Sequence, residues 1–211
     1  MTSDQEYFSL VRKNSQRRVT ALGYRINPAL PLLETGRVTR SARDIACRML
    51  VLHACCAVSY GFSHERATAW IRHHGLMPNV SAEEMALLGG DDACHAQFRL
   101  RPESVWLLGW VLGKAENFKL YSPMPQDAVR LFPDLRVDQS PEPWLDSVLV
   151  RDTRALMAAL DFYYCLHWAW RDGAISAKLA RKFPGYVISE RRRALEWCLG
   201  SEPWDTISLD T

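Results

Sequence analysis

Ser41-Ala-Arg-Asp-Ile-Ala-Cys-Arg-Met-Leu-Val-Leu-His-Ala-Cys-Cys-Ala-Val-Ser-Tyr-Gly61 is the stretch that decides the fold. Ser41 followed three residues later by Asp44 has the form of a capping box. In that motif each side chain bonds the other residue's backbone N–H and opens a helix. From Met49 to Val58 nearly every position is apolar, so the helix has no solvent face. A helix that is hydrophobic all round belongs at the centre of a core. Gly61 stops it. The pattern predicts a central buried helix to about Tyr60, and with it a mainly α protein.

Helical signals continue on both sides. Upstream, Gln5 to Arg18 reads as an amphipathic helix, and residues 19–38, with Gly23, Pro28, Pro31 and Gly36, read as extended or looped. Downstream, Ser63 opens a shorter helix carrying Ala67, Trp70 and Ile71, and Ser81-Ala-Glu-Glu84 is a second capping box for a helix to Leu88. Gly89 to Asp92 reads as a turn. Pro102 takes the favoured first helical position of a segment through Trp106 and Leu112. Residues 117–150 hold five prolines and short helical turns, and Asp146 to Val150 could form a short strand. Asp152 or Thr153 begins the longest clear helix, to Gly173. Short turns then lead to Pro184-Gly185 and a final helix to Leu199, stopped by Gly200. The expectation is one irregular multi-helix domain over 1–211 with little or no β. Its parts are an N-terminal helix and extended segment (1–40), a helical core (41–116), a Pro-rich connection (117–150) and C-terminal helices (151–211).

A chain of 211 residues can close a core of that kind. Its 48% hydrophobic and 24% charged residues are those of an ordinary soluble globular protein. The net charge of +2 is too small for a nucleic-acid binder. Residues 1–50 nevertheless hold nine Lys/Arg against four acids, an excess of +5 that leaves −3 for the rest. A basic N-terminal face could meet an acidic partner, although a solvated face explains it as well. No apolar run follows Met1, and Met49 to Phe62, interrupted by His53, is too short to span a bilayer. A soluble, cytoplasmic protein is expected.

The six cysteines (47, 55, 56, 94, 165, 198) include no CxxC and read as buried free thiols. His73-His74 and Cys94-His95 are adjacent pairs whose side chains point to different faces, and no HExxH occurs, so no metal is expected. There is no phosphate-binding glycine loop and no GxSxG elbow, so no cofactor is expected either.

Two helices carry the remaining chemistry. In the last, Arg191 lies three residues after Ile188 and four before Leu195, on or beside the apolar stripe. An arginine there must be paired, with Glu190 or Asp161 as candidate partners. Arg192 and Arg193 are expected to face solvent. In the preceding helix, Leu156, Leu160, Tyr163, His167 and Trp170 recur at helical spacing, so His167 is expected to be buried, neutral and hydrogen-bonded. Should these groups line a cleft, Asp161, His167 and Arg191 form a candidate acid–base cluster of a hydrolase-like enzyme.

The tail Ser189-Glu-Arg-Arg-Arg-Ala-Leu-Glu-Trp197, then Trp204-Asp205 and Asp210-Thr211, resembles the end of a bacterial family known only as domain of unknown function 4272. Arg17-Arg18 with Gly23, Arg43-Asp-Ile-Ala-Cys-Arg48, Trp110-Val-Leu-Gly113 and the stretch Asp161–Asp172 containing His167-Trp-Ala169 agree with it. The resemblance covers about residues 17–211 and departs at 60–100, where Trp70, His73, His74, Asp91 and Asp92 are candidate binding residues. It implies a fold and no reaction. The leading expectation is a non-enzymatic protein-binding module. An immunity-type protein that neutralises a secreted toxin would fit by class analogy. Missing catalytic motifs and abundant Trp, Tyr and Arg, the residues of interface hot spots, motivate it. The enzyme is the alternative, and nucleic-acid binding through the N-terminal arginines is weaker still.

Overall fold

The computed structural model describes residues 3–33, 40–173 and 183–210. The turns expected within 174–182, the end of the looped stretch at 34–38, Thr211 and the Asp92 side chain lie outside the described residues. In chain order the helices are α1 (Ser3–Ala21), α2 (Ala42–Ser59), α3 (His64–His73), α4 (Ala82–Leu88), α5 (His95–Phe98), α6 (Pro102–Val111), α7 (Glu142–Leu145), α8 (Thr153–Arg171) and α9 (Gly185–Leu199). The protein is mainly α, and the described residues contain no strand. Contacts group the chain into two compact units: residues 1–39, 152–202 and 207–211 in the first, and 40–151 and 203–206 in the second.

In the second unit α2 follows its sequence closely. Ser41 Oγ accepts from the Asp44 amide at 3.0 Å while the Asp44 carboxylate accepts from the Ser41 amide at 3.1 Å, completing the capping box. Every residue from Ile45 to Cys56 is buried, and α3, α4, α5 and α6 pack around this helix. Gly61 turns the chain at φ 96°, a left-handed conformation that favours glycine. The stretch Asp146 to Val150 is not a strand. The chain there runs past the end of α6, where the Arg151 amide donates to the Val111 carbonyl at 2.9 Å and the Leu149 amide to Leu112 at 3.4 Å. These bonds satisfy carbonyls that the helix leaves unpaired, with no second strand to pair with.

The first unit is built on α8, which packs against both α1 and α9. Asp152 caps α8 through its side chain, accepting from the Arg154 amide. Gly185, the first residue of α9, lies against Trp170: a Cβ there would stand 2.1 Å from the ring. Gly200 ends α9 by another route than a left-handed turn. Its backbone is extended at φ −115°, and a Cβ would approach the Glu196 carbonyl oxygen to 2.8 Å.

Candidate functional site

Two buried polar clusters hold most of the chemistry-bearing side chains. In the first unit Asp161 on α8 faces α1, where Arg12 donates from Nε (3.0 Å) and Nη2 (2.8 Å) to its Oδ1. Arg12 also donates from Nη1 to the Leu30 carbonyl (2.6 Å) and from Nη2 to Pro31 (2.8 Å), so one guanidinium ties α1, the loop after it and α8 together. Burial works against the Arg12 cation, but its hydrogen bond and charge pairing with Asp161 outweigh that and raise its pKa. The Cys165 thiol, 4.0 Å from Asp161 Oδ2, is pushed up to about 12 by burial and by the Asp161 charge. It is therefore a poor nucleophile.

His167 lies six residues further along α8 than Asp161. Its Nδ1 is 2.9 Å from Arg192 Nη1. Guanidinium is always a donor, so Nδ1 must accept and the ring proton sits on Nε2. Burial, then the positive charges of Arg192 and Arg171, lower its pKa to about 4, which keeps the ring neutral at pH 7. The reading of a buried, neutral, hydrogen-bonded histidine agrees with this geometry. Arg191 is fully buried, at 0% exposure, and donates from Nη1 to the Tyr163 hydroxyl at 3.0 Å. Asp161, His167 and Arg191 thus share a unit, and each bonds a different residue: Arg12, Arg192 and Tyr163 respectively.

Of the two candidate partners of Arg191, Asp161 pairs instead with Arg12, through Oδ1. One expectation for the arginine triplet needs correction. Arg192 does not face solvent: it is 4% exposed. Residues 207–210 return along α9 and cover that side, and Arg192 donates to the Leu209 and Asp210 carbonyls at 3.0 Å each. It also bonds Glu196 and lies 4.8 Å from the Tyr164 ring centroid. Only Arg193 keeps a partly exposed side chain, in a loose 3.8 Å pair with Glu190.

The second cluster belongs to the other unit. Arg48 on α2 forms a buried ion pair with Glu84 and donates to the Asn79 carbonyl at 2.7 Å. The other Glu84 oxygen accepts from the Ser81 amide at 2.8 Å, so a single carboxylate both caps α4 and neutralises Arg48. Arg48 and Arg101 lie 5.5 and 5.9 Å from the Trp204 ring centroid, within cation–π range. The neighbouring Asp205 accepts from the Glu83 amide at 3.4 Å.

Comparison with known proteins adds one match. The model of a domain of unknown function, DUF4272, fits residues 11–207. The chain belongs to the DUF4272 family. No curated protein and no solved structure matches it. The DUF4272 match takes in both buried clusters, from Arg12 to Trp204. Membership carries no activity with it. Among the described residues no helix is long and apolar enough to cross a membrane.

The candidate binding residues within this DUF4272 chain have different surroundings. Trp70 is core, with its indole N–H donating to the Gln139 carbonyl at 3.0 Å. At the end of α3 the His74 ring packs 5.1 Å from Trp70 and 4.7 Å from His73, whose side chain is exposed. Burial and then the His73 charge lower the His74 pKa. Asp91 sits in the turn after α4, where its Oδ1 accepts from the Ala93 amide at 3.0 Å. Among the described residues no group of three or more His, Cys, Asp or Glu side chains could hold a metal.

Proposed function

We propose that this chain is a non-enzymatic protein-binding module of the bacterial cytoplasm, of the immunity type that neutralises a toxin by covering it. The observation that carries the reading is the internal use of its best acid–base groups. Asp161, His167 and Arg191 each bond a different buried partner, His167 is held neutral with its Nδ1 occupied, and Cys165 is far from ionising. Catalysis needs such groups converging on a reacting atom. A binding protein needs only a rigid frame and a surface, and buried ion pairs supply frames of that kind. The six free cysteines, five of them buried, fit a reducing compartment.

The test is recovery of a partner. The tagged chain, expressed from its own locus in the native bacterium, is purified under mild conditions and its companions are identified by mass spectrometry. A stoichiometric companion whose toxicity the chain suppresses on co-expression is the expected result. Recovery of the chain alone would sink the proposal.

A further inference from the structure

We infer that the outer face of α1 is a docking groove for an acidic segment of a partner protein, with Leu10 as its apolar anchor and Lys13, Arg17 and Arg18 as its charged contacts. The inference rests on the protein-binding reading and names where, and for what chemistry, that binding occurs. From residue 7 to residue 33 the sequence contains no Asp or Glu, yet it holds Arg12, Lys13, Arg17, Arg18 and Arg25. Two of the five are committed within the fold: Arg12 is buried on Asp161, and Arg25 reaches Asp172 at 3.8 Å. Lys13, Arg17 and Arg18 are exposed and carry no ion pair among the described residues; Arg17 bonds only the Asn14 amide oxygen, at 2.9 Å. Among the described residues no acid answers their charge.

The shape agrees with the charge. An open groove of about 470 Å³ runs along the helix, lined among the described residues by Leu10, Val11, Lys13, Asn14 and Arg17. Positions 10, 13, 14 and 17 follow the three-and-four spacing of one helical face. Leu10 is 67% exposed at the position where a soluble helix ordinarily places a polar residue. An apolar floor with a charged rim is the anatomy of a protein interface. Cations around it select a carboxylate-bearing partner. Single-stranded nucleic acid would need aromatic platforms for its bases, and none of the described lining residues is aromatic.

The test uses the full chain and a fluorescein-labelled peptide of glutamate and leucine patterned as an amphipathic helix, followed by anisotropy. Saturable binding that weakens with added salt is expected. Lys13→Glu and Arg17→Glu should each weaken it about fivefold or more at low salt. Leu10→Ser should weaken it by a similar factor, about fivefold, at any salt. All three positions are exposed, so melting temperatures should stay near that of the parent chain. Lack of saturable binding, or equal affinity of the three variants and the parent, overturns the groove. So does tighter binding of a single-stranded oligonucleotide or of phosphatidylserine vesicles than of the peptide. If a companion recovered from cells stays bound to the Leu10→Ser, Lys13→Glu chain, the groove fails while the protein-binding reading stands. If no companion is recovered at all, that reading fails, and the peptide titration still decides the groove.

Discussion

Breaking the Arg12–Asp161 pair should destabilise the protein more than any single surface change, and the two halves of the break should not add. Arg12 makes two hydrogen bonds to Asp161 Oδ1 and two to backbone carbonyls, all at 3.0 Å or less. Both side chains are more than nine-tenths buried. Asp161→Asn keeps an oxygen acceptor but removes the countercharge, leaving a buried guanidinium with only carbonyl partners. Orphaning one member of a buried pair costs about 3–5 kcal/mol, and the retained acceptor places this variant near the lower end. Arg12→Met leaves the Asp161 carboxylate with the distant Cys165 thiol alone and also frees the Leu30 and Pro31 carbonyls, so it belongs near the upper end.

The double variant carries neither orphaned charge. Its cost should fall short of the sum of the singles by about 2–3 kcal/mol, a coupling energy at the upper end of those measured for residues in contact. Equilibrium unfolding in urea reads all four proteins. It is best followed by circular dichroism and by tryptophan fluorescence, because the tryptophans are divided between the two units, with 168, 170 and 197 in the first. Coincident curves from both signals are needed before free energies are compared. Costs that add to within about 0.5 kcal/mol would show that the two residues do not act as a pair, and the account of the first unit given above would be wrong.

Three further outcomes follow from the same geometry. His167 is neutral in the fold with a pKa of about 4 against an ordinary value of 6.5, so the unfolded chain takes up its proton first as pH falls. Its contribution is complete above about pH 6.5 and is lost down to about pH 4, by at most about 3 kcal/mol. His167→Asn, which keeps an acceptor near the Nδ1 position, should flatten melting temperature against pH across that window, and an unchanged slope would refute the assignment. Arg192→Ala should cost about 2–4 kcal/mol and speed amide exchange at 207–210, whereas Arg193→Ala should cost under about 1 kcal/mol; equal losses in urea unfolding would contradict the burial of Arg192. Gly185→Ala should destabilise by about 1–3 kcal/mol because its Cβ would overlap the Trp170 ring, and thermal melts should show Trp170→Ala relieving most of that cost.

What the sequence disclosed about this fold depended on how local the cause was. Capping boxes at Ser41 and Ser81, the apolar circumference of α2 and the Pro102 start are short-range chemistry, and each element forms where the residues place it. The burial of Arg191 was legible for the same reason, since its phase relative to Ile188 and Leu195 is fixed by the helix itself. The same test applied to α1 would have found Arg12, which shares a face with Ser15 and Val19, and applied to α2 would have found Arg48. Which acid answers each arginine was not legible. Arg12 and Asp161 are 149 residues apart, and nothing in either segment names the other.

Arg192 shows the limit most plainly, because its phase alone does place it away from the Arg191 face. It is buried by other segments: His167 and the Tyr164 ring on α8 meet it, and residues 207–210 double back and offer it two carbonyls. A buried arginine can thus be read from periodicity when its own helix buries it, but not when another segment does. The partners of the candidate site lay beyond that line. Asp161, His167 and Arg191 looked like a cluster because only α8 and α9 were read for partners. Arg12 on α1 bonds Asp161, and Arg192 on α9, itself held by the carbonyls of the returning tail, bonds His167.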